Sequence, residues 1–130
     1  MQGASNALMA SLWRTDARYL EGIASFNRRE WFEAHEVWES LWHADARPER
    51  AFWQGLIQAA VALEHWRRKN ARGARSQWEQ ARARLTPFSP RHEGLDVDAL
   101  IAAMATCMAP VLLDAEALFD ESTAPRIELD

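Results

Sequence analysis

The chain has 130 residues, 48% of them apolar and 26% charged, a composition that is typical of a folded domain and excludes a disordered chain. Its formal net charge of -4 at pH 7 argues against a dedicated nucleic-acid binder, because phosphate recognition needs positive charge. Cys107 is the only cysteine, which excludes an internal disulfide.

No segment has the pattern of a targeting or membrane sequence. The N-terminus lacks a basic region followed by an apolar stretch, and no apolar run approaches the ~18 residues that a membrane span needs. We therefore expect a cytoplasmic protein with no membrane partner. Cys107 is expected to be a small buried residue on a helix, with a reactive thiol as the alternative.

Apolar spacing and capping residues predict five helices, over residues 8–27, 29–44, 47–69, 72–85 and 97–119. Pro48 suits the first turn of the third helix, and Asp96 is placed to cap the fifth. Pro110 predicts that the fifth helix is kinked or split. The tail after it is expected to be extended, with Ile127 and Leu129 docked against the body. No strand is predicted.

The sequence matches itself when one copy is shifted so that Ala34 falls on Ala74. Trp38 then coincides with Trp78, and each copy is preceded by an apolar helix that ends in a basic turn. The repeat predicts an all-α fold of two stacked helical hairpins, a C-terminal helix and an extended tail. The pattern is similar to tetratricopeptide repeats; chance similarity between amphipathic helices is the alternative.

The second predicted helix has polar side chains on the face that its apolar residues mark for burial. At about 100° per residue, His35 lies in the middle of the apolar arc, Glu39 follows one turn later, and Glu36 lies at the boundary. The third helix is apolar almost all round, which predicts a central position. Its remaining stripe contains Gln54, Gln58 and His65.

If the second and third helices pack together, these residues form one polar cluster: His35, Glu36, Glu39, Gln54, Gln58 and His65. A satisfied hydrogen-bond network is one interpretation, and a small-molecule pocket is another. A metal site is a third, although neither H-E-x-x-H nor E-x-x-H occurs, and no cofactor is predicted. Should the cluster be catalytic, we expect a small hydrolase, metal-assisted or not, that uses His35, Glu36 or Glu39, and His65.

Seven tryptophans are more than a core of this size needs, and tryptophan is common at interfaces. Four are candidates for an aromatic groove or a homo-oligomer contact: Trp31, Trp38, Trp42 and Trp53. Plain core packing is the alternative for Trp38, Trp66 and Trp78. The basic turn Arg67–Arg75 follows the third helix. Its cations suit a helix C-terminus, and an anion or RNA contact is the functional alternative.

The chain resembles the small bacterial and archaeal family catalogued as domain of unknown function 309. The first motif falls on Phe26, Asn27, Trp31, Phe32, Glu33, Ala34, His35, Glu36, Glu39 and Trp42. The second falls on Phe52, Gln54, Gly55, Leu56, Ile57, Gln58, Ala60, Ala62 and His65, and a later element on Pro90, His92, Gly94, Asp96 and Val97. The resemblance implies an all-α fold and self-association, and no established activity. We predict a non-catalytic binding or interaction module that forms homo-oligomers with an unknown small-molecule or protein partner.

Overall fold

The computed structural model describes residues 13–130. Five helices account for most of this part: α1 (Ala17–Asn27), α2 (Trp31–Ala44), α3 (Ala51–Arg67), α4 (Ala71–Leu85) and α5 (Val97–Leu113). Short 3-10 turns occur at Pro48–Arg50, Thr86–Phe88 and Glu121–Thr123. Each helix packs mainly against the helix before it and the helix after it, and α3 has the most extensive contacts because it lies between α2 and α4. The all-α prediction is confirmed.

The two predicted hairpins, α1–α2 and α3–α4, turn at positions that coincide under the shift that aligns the two copies in sequence. Arg29 and Lys69 occupy the same place in the two turns, and both adopt left-handed backbone conformations, with φ of 63° and 64°. The same backbone hydrogen bond closes each turn; in the first, the Glu30 N–H donates to the Ser25 carbonyl at 2.9 Å. The sequence repeat is therefore a structural repeat.

The repeated alanines and tryptophans lie in the core between the helices. Ala34, Ala74, Trp38 and Trp78 are all buried. A β-carbon on Gly22 of α1 would overlap the indole of Trp38, so α1 and α2 approach at a point where only glycine fits. The small residues permit the close approach, and the large rings fill the remaining space.

The predicted first helix, 8–27, is interrupted. Its segment 8–12 lies outside the described residues, Trp13 and Arg14 are helical, and a turn at Thr15 and Asp16 separates them from α1. Asp16 is the N-cap, because its carboxylate accepts from the backbone N–H of Arg18 at 2.8 Å. A capping aspartate thus interrupts a continuous apolar pattern.

The last helix neither splits at Pro110 nor continues to residue 119. It runs through the proline and ends at Leu113. Pro110 lies in the last turn, where its missing N–H affects few helical bonds. The chain then departs from the helix axis, and Phe119 stacks on Trp66 with ring centroids 4.7 Å apart. Ile127 is buried and Leu129 packs against the core, as the docked tail requires.

One two-stranded hairpin was not predicted. Strands β1 (Arg91–His92) and β2 (Leu95–Asp96) pair antiparallel, with Arg91 opposite Asp96 and His92 opposite Leu95. The loop residues Glu93 and Gly94 both have positive φ, 49° and 75°, as a two-residue hairpin turn demands. Among residues 13–130, no helix combines the length and the apolarity that crossing a membrane requires.

Candidate functional site

Two depressions lie along the line where α2 meets α3, and we call them together the α2–α3 groove. The first, the His35 pocket, has a volume of about 250 Å³ and is lined by Trp31, Phe32, His35, Val61, Glu64, His65 and Arg68. The second, the Gln54 pocket, has a volume of about 190 Å³ and is lined by Glu39, Trp42, Gln54 and Ile57. Antiparallel packing of α2 on α3 thus brings residues of both predicted polar stripes to one surface.

His35 connects the two pockets. Its side chain is 25% exposed, and its Nε2 atom lies 3.0 Å from Oε2 of Glu39, one helical turn away. The other oxygen of Glu39 lies 3.8 Å from Nε2 of His43. The carboxylate favours the imidazole tautomer with its hydrogen on Nε2. The Nδ1 atom of His35 is buried and has no hydrogen-bond partner within residues 13–130, an arrangement that costs free energy.

His65 enters the His35 pocket from α3. Its Nδ1 atom lies 3.1 Å from the amide Nδ2 of Asn70. Asn70 also caps α4, since its Oδ1 accepts from the backbone N–H of Gly73 at 3.0 Å. With Oδ1 engaged in the cap, the amide nitrogen is oriented as a donor to Nδ1, and the hydrogen of the neutral His65 ring is on Nε2. The turn between α3 and α4 therefore determines the tautomer of a pocket residue.

Glu64 lines the His35 pocket and was not among the predicted site residues. Its carboxylate pairs with Arg67, and its Oε2 accepts from Nε of Arg68 at 2.8 Å. Burial raises the pKa of Glu64, but the hydrogen bonds from Arg68 and Arg67 outweigh it and the pKa is lowered. The spacing of glutamate with arginines three and four residues later was the sequence signal for this pairing.

The structure separates Gln58 from the other predicted polar residues. Gln58 is buried and lines neither pocket, and its Nε2 donates to Oε1 of Gln80 on α4 at 3.2 Å. Glu36 is exposed and lines neither pocket. The groove consequently contains His35, Glu39, Gln54 and His65, whereas Gln58 instead joins α3 to α4.

The four candidate groove tryptophans divide in the same way. Trp38 and Trp53 are core residues: the indole N–H of Trp38 donates to the Tyr19 carbonyl, and that of Trp53 to the Asp45 carboxylate. Trp31 is buried at the edge of the His35 pocket. Trp42 is half-buried and lines the Gln54 pocket, with the guanidinium of Arg50 3.8 Å above its ring.

Most cations of the turn Arg67–Arg75 have protein partners. Arg67 pairs with Glu64 and donates to the Arg29 carbonyl at 2.9 Å, and Arg75 donates to the Val111 carbonyl at 2.7 Å. Within the part of the chain that the structure describes, Lys69 and Arg72 of this turn have no ion pair or side-chain hydrogen bond. The turn therefore serves chiefly to join α3, α4 and α5.

Asp45 is a second buried acid that the sequence reasoning missed. It follows α2 and accepts from Nε and a terminal nitrogen of Arg47 at 3.0 and 2.9 Å. Asp16 and Arg18 make the same pair of contacts at 3.0 and 2.7 Å. The tripeptide Asp-Ala-Arg occurs at both positions and was the available signal.

Across residues 13–130, no set of three or more histidine, cysteine, aspartate or glutamate side chains is arranged to hold a metal ion. Cys107 is buried in α5, and burial raises the pKa of its thiol. Its sulfur lies 3.4 Å from Oγ1 of Thr123, a contact that links α5 to the tail.

The fold and the groove define a class: an all-α protein of stacked helical hairpins with a polar, aromatic-walled groove between α2 and α3. Residues 19–77 match the family described as domain of unknown function (DUF309), which confirms the predicted resemblance over this segment. The "Uncharacterized protein YpuF" of Bacillus subtilis (strain 168) is 42% identical over 59 residues. That match covers 44% of this chain and 34% of YpuF, so the chain spans about a third of that relative.

The family match includes every residue that lines the two pockets. The later motif, Pro90 to Val97, lies outside the matched segment and forms the β1–β2 hairpin and the start of α5. The family resemblance and the groove therefore concern the same part of the molecule.

Proposed function

We propose that the protein is a binding module whose ligand occupies the α2–α3 groove. The supporting observation is the His35 pocket, in which apolar walls from α2 and α3 surround histidines from both helices. Concave, mostly apolar sites with a few convergent polar groups are the usual form of small-molecule sites. At the same place, the buried Nδ1 atom of His35 lacks a hydrogen-bond partner among the residues that the structure describes, as expected for a site that was not optimised for stability alone.

A fragment screen followed by NMR tests this proposal. Small aromatic fragments are added to the ¹⁵N-labelled full chain, and we expect the amide shifts of Phe32, His35 and Val61 to change most. Val61→Phe places extra volume in the pocket and should abolish these changes. Ala83→Phe adds a ring at an exposed position of α4 and is the matched control. The proposal would be contradicted if the chemical-shift changes were spread over other surfaces, or if Val61→Phe left them unaffected.

A small hydrolase is the second candidate, and the 3.0 Å separation of His35 Nε2 and Glu39 Oε2 favours it. A carboxylate beside an imidazole is a common arrangement for general acid–base catalysis. Untagged protein is assayed with p-nitrophenyl acetate, alone and with added zinc or manganese. A hydrolase would lose its activity in His35→Ala and keep it in His43→Ala, whose imidazole lies on the same helix but is mostly exposed. Equal rates for both variants would exclude this candidate.

Self-association is also proposed, through exposed leucines at the end of α5 and in the segment after it. Leu113 is 90% and Leu118 85% exposed. The neighbouring cavity is lined by both basic and acidic side chains, among them Lys69 and Glu116, which suits pairing with a second copy of the same surface. Leu118→Glu should lower the mass measured by sedimentation, and the control Leu20→Glu, on exposed α1 surface, should not. If Leu118→Glu leaves the mass unchanged, self-association through this surface is contradicted.

Two finer predictions stay proposals. Similarity to tetratricopeptide repeats is supported by the stacking of two equivalent hairpins. A cytoplasmic location rests on the composition and the single cysteine.

A further inference from the structure

We propose that the His35 pocket binds a small aromatic carboxylate, with the ring between the apolar walls and the carboxylate at Arg68. This inference rests on the proposed function and names its ligand class.

The walls favour a single flat ring. Phe32 leaves 46% of its surface exposed although it lies beside a concave surface, and Trp31 and Val61 are the other apolar neighbours. Aromatic side chains of this kind accept a ligand ring in tilted or offset contact. The volume of about 250 Å³ is below the range of drug-sized sites and suits a ligand with a single ring.

The charge of the pocket favours an anion. The acid among its lining residues, Glu64, already pairs with Arg68 and with Arg67, which lies outside the lining and also pairs with Glu121, so the carboxylate of Glu64 is neutralised. Arg68 uses only Nε for this contact, and its side chain is 68% exposed. Within the described residues, its terminal nitrogens have no partner, and they remain available to a ligand carboxylate.

A second donor lies on the same helix. Because Asn70 donates to Nδ1 of His65, the ring's own hydrogen is on Nε2, for which no partner occurs within the described residues. Arg68 and His65 lie three residues apart on the last turn of α3 and its C-cap, and both line the pocket. Two donors and an apolar wall match the two ends of an aromatic acid.

The test compares three probes by NMR titration of the ¹⁵N-labelled full chain: phenylacetate, its neutral analogue phenylacetamide, and acetate. We expect phenylacetate to shift the amides of Phe32, His35 and Val61 with a Kd about tenfold or more below that of phenylacetamide, because one charge-assisted contact is lost in the amide. Acetate, which lacks the ring, should bind far more weakly. Rising salt should weaken phenylacetate binding and leave the amide unchanged.

Arg68→Gln should remove the preference for the acid over the amide, and Lys69→Gln, the neighbouring cation outside this pocket, should retain it. Arg68→Lys checks that the pocket stays folded, because it keeps the charge and should keep most of the preference. Equal binding of the two phenyl compounds would overturn the carboxylate assignment and leave the binding module standing. Absence of binding by both would also overturn it, and the fragment screen with Val61→Phe would then decide the binding module separately.

Discussion

Asp45 is an acidic residue that is buried in the core and held there by two neighbouring side chains. Its carboxylate has no solvent exposure and accepts from Arg47 and from the indole N–H of Trp53 at 2.8 Å. Burial raises the pKa of Asp45, but the hydrogen bonds from Arg47 and Trp53 outweigh it, and the pKa is lowered. A buried charge is stable only when paired and hydrogen-bonded in this way.

Asp45→Asn should therefore destabilise the protein in a pH-dependent manner. A carboxylate with a lowered folded-state pKa contributes stability above its unfolded pKa, and loses it as the pH falls through the folded value. We expect Asp45→Asn to lower the free energy of unfolding by about 2 kcal/mol at neutral pH, since Arg47 is partly exposed and can recover solvent. The difference from the wild type should shrink below about pH 4.

Urea denaturation at a series of pH values measures this difference. Asp16→Asn is the matched control, because Asp16 has the same contacts with Arg18 but is more exposed. Asp16→Asn should lower the free energy of unfolding by less, under about 1 kcal/mol in addition to any loss from the weakened N-cap of α1. A difference for Asp45→Asn that does not change with pH would contradict the ionised state of the buried carboxyl.

The turns between paired helices are the clearest feature at the scale of elements. Lys69 adopts a φ of 64°, a left-handed conformation in which side chains are disfavoured and glycine is not. Arg29 occupies the same position in the first hairpin, but its side chain donates to the Glu121 carbonyl at 3.3 Å. Lys69 has no such contact within the described residues, so it offers the simpler test.

Lys69→Gly should raise the free energy of unfolding by about 0.5–1 kcal/mol, because it relieves the left-handed strain at the turn. Arg82→Gly, which places glycine at an exposed position within α4, should lower it by about 1 kcal/mol. Thermal unfolding of the two variants measures both changes in stability, which we expect to have opposite signs. A loss of stability in Lys69→Gly would show that relief of backbone strain at this turn is outweighed by the loss of the lysine side chain.

At Gly22, where α1 contacts α2, we expect that replacing the glycine destabilises the protein. Helix propensity alone would make Gly22→Ala stabilising. A β-carbon there would overlap the Trp38 indole, however, so we expect a loss of about 1–3 kcal/mol. Trp38→Phe removes part of the overlapping ring, and the double variant should lose less than the sum of the two single variants. Additive losses in urea denaturation would contradict direct contact.

At the scale of the whole molecule, the C-terminal tail joins elements that are far apart in sequence. Asn27, at the end of α1, donates from Nδ2 to the Ile127 carbonyl at 2.9 Å and accepts at Oδ1 from the Ile127 N–H at 2.8 Å. Phe119 stacks on Trp66 and lies 5.5 Å from Trp31, measured between ring centroids. The tail therefore ties both helical hairpins together.

Asn27→Ala should lower the free energy of unfolding by about 1–3 kcal/mol, since it leaves both backbone groups of Ile127 without partners. Asn27→Asp keeps the acceptor and loses the donor, and an intermediate loss is expected. Hydrogen exchange of the Ile127 amide measures the effect locally: its protection should fall in Asn27→Ala and remain largely intact in Asn27→Asp. Unchanged protection of the Ile127 amide in both variants would contradict the role of these two hydrogen bonds in holding the tail.

The sequence by itself determined the helices and their pairing. The spacing of apolar residues depends on the backbone geometry of a single helix, and the internal repeat reproduces that spacing together with the basic turn. For this reason the all-α fold, the equivalence of the two hairpins and the docking of Ile127 followed from local patterns. The placement of His35 and His65 on facing helices followed from the same helical wheels.

Only the tertiary structure decided which neighbour each polar residue of the central helix faces. A wheel gives an angle about the axis of α3, but α2 and α4 both pack against that helix, and Gln58 turned to Gln80 rather than to His35. Glu64 and Asp45 can be buried only because arginines close in sequence neutralise them. Neither the amino-acid composition nor the periodicity of apolar residues indicates such pairing. Side-chain contacts between elements depend on packing in three dimensions, whereas the elements themselves depend on their own residues.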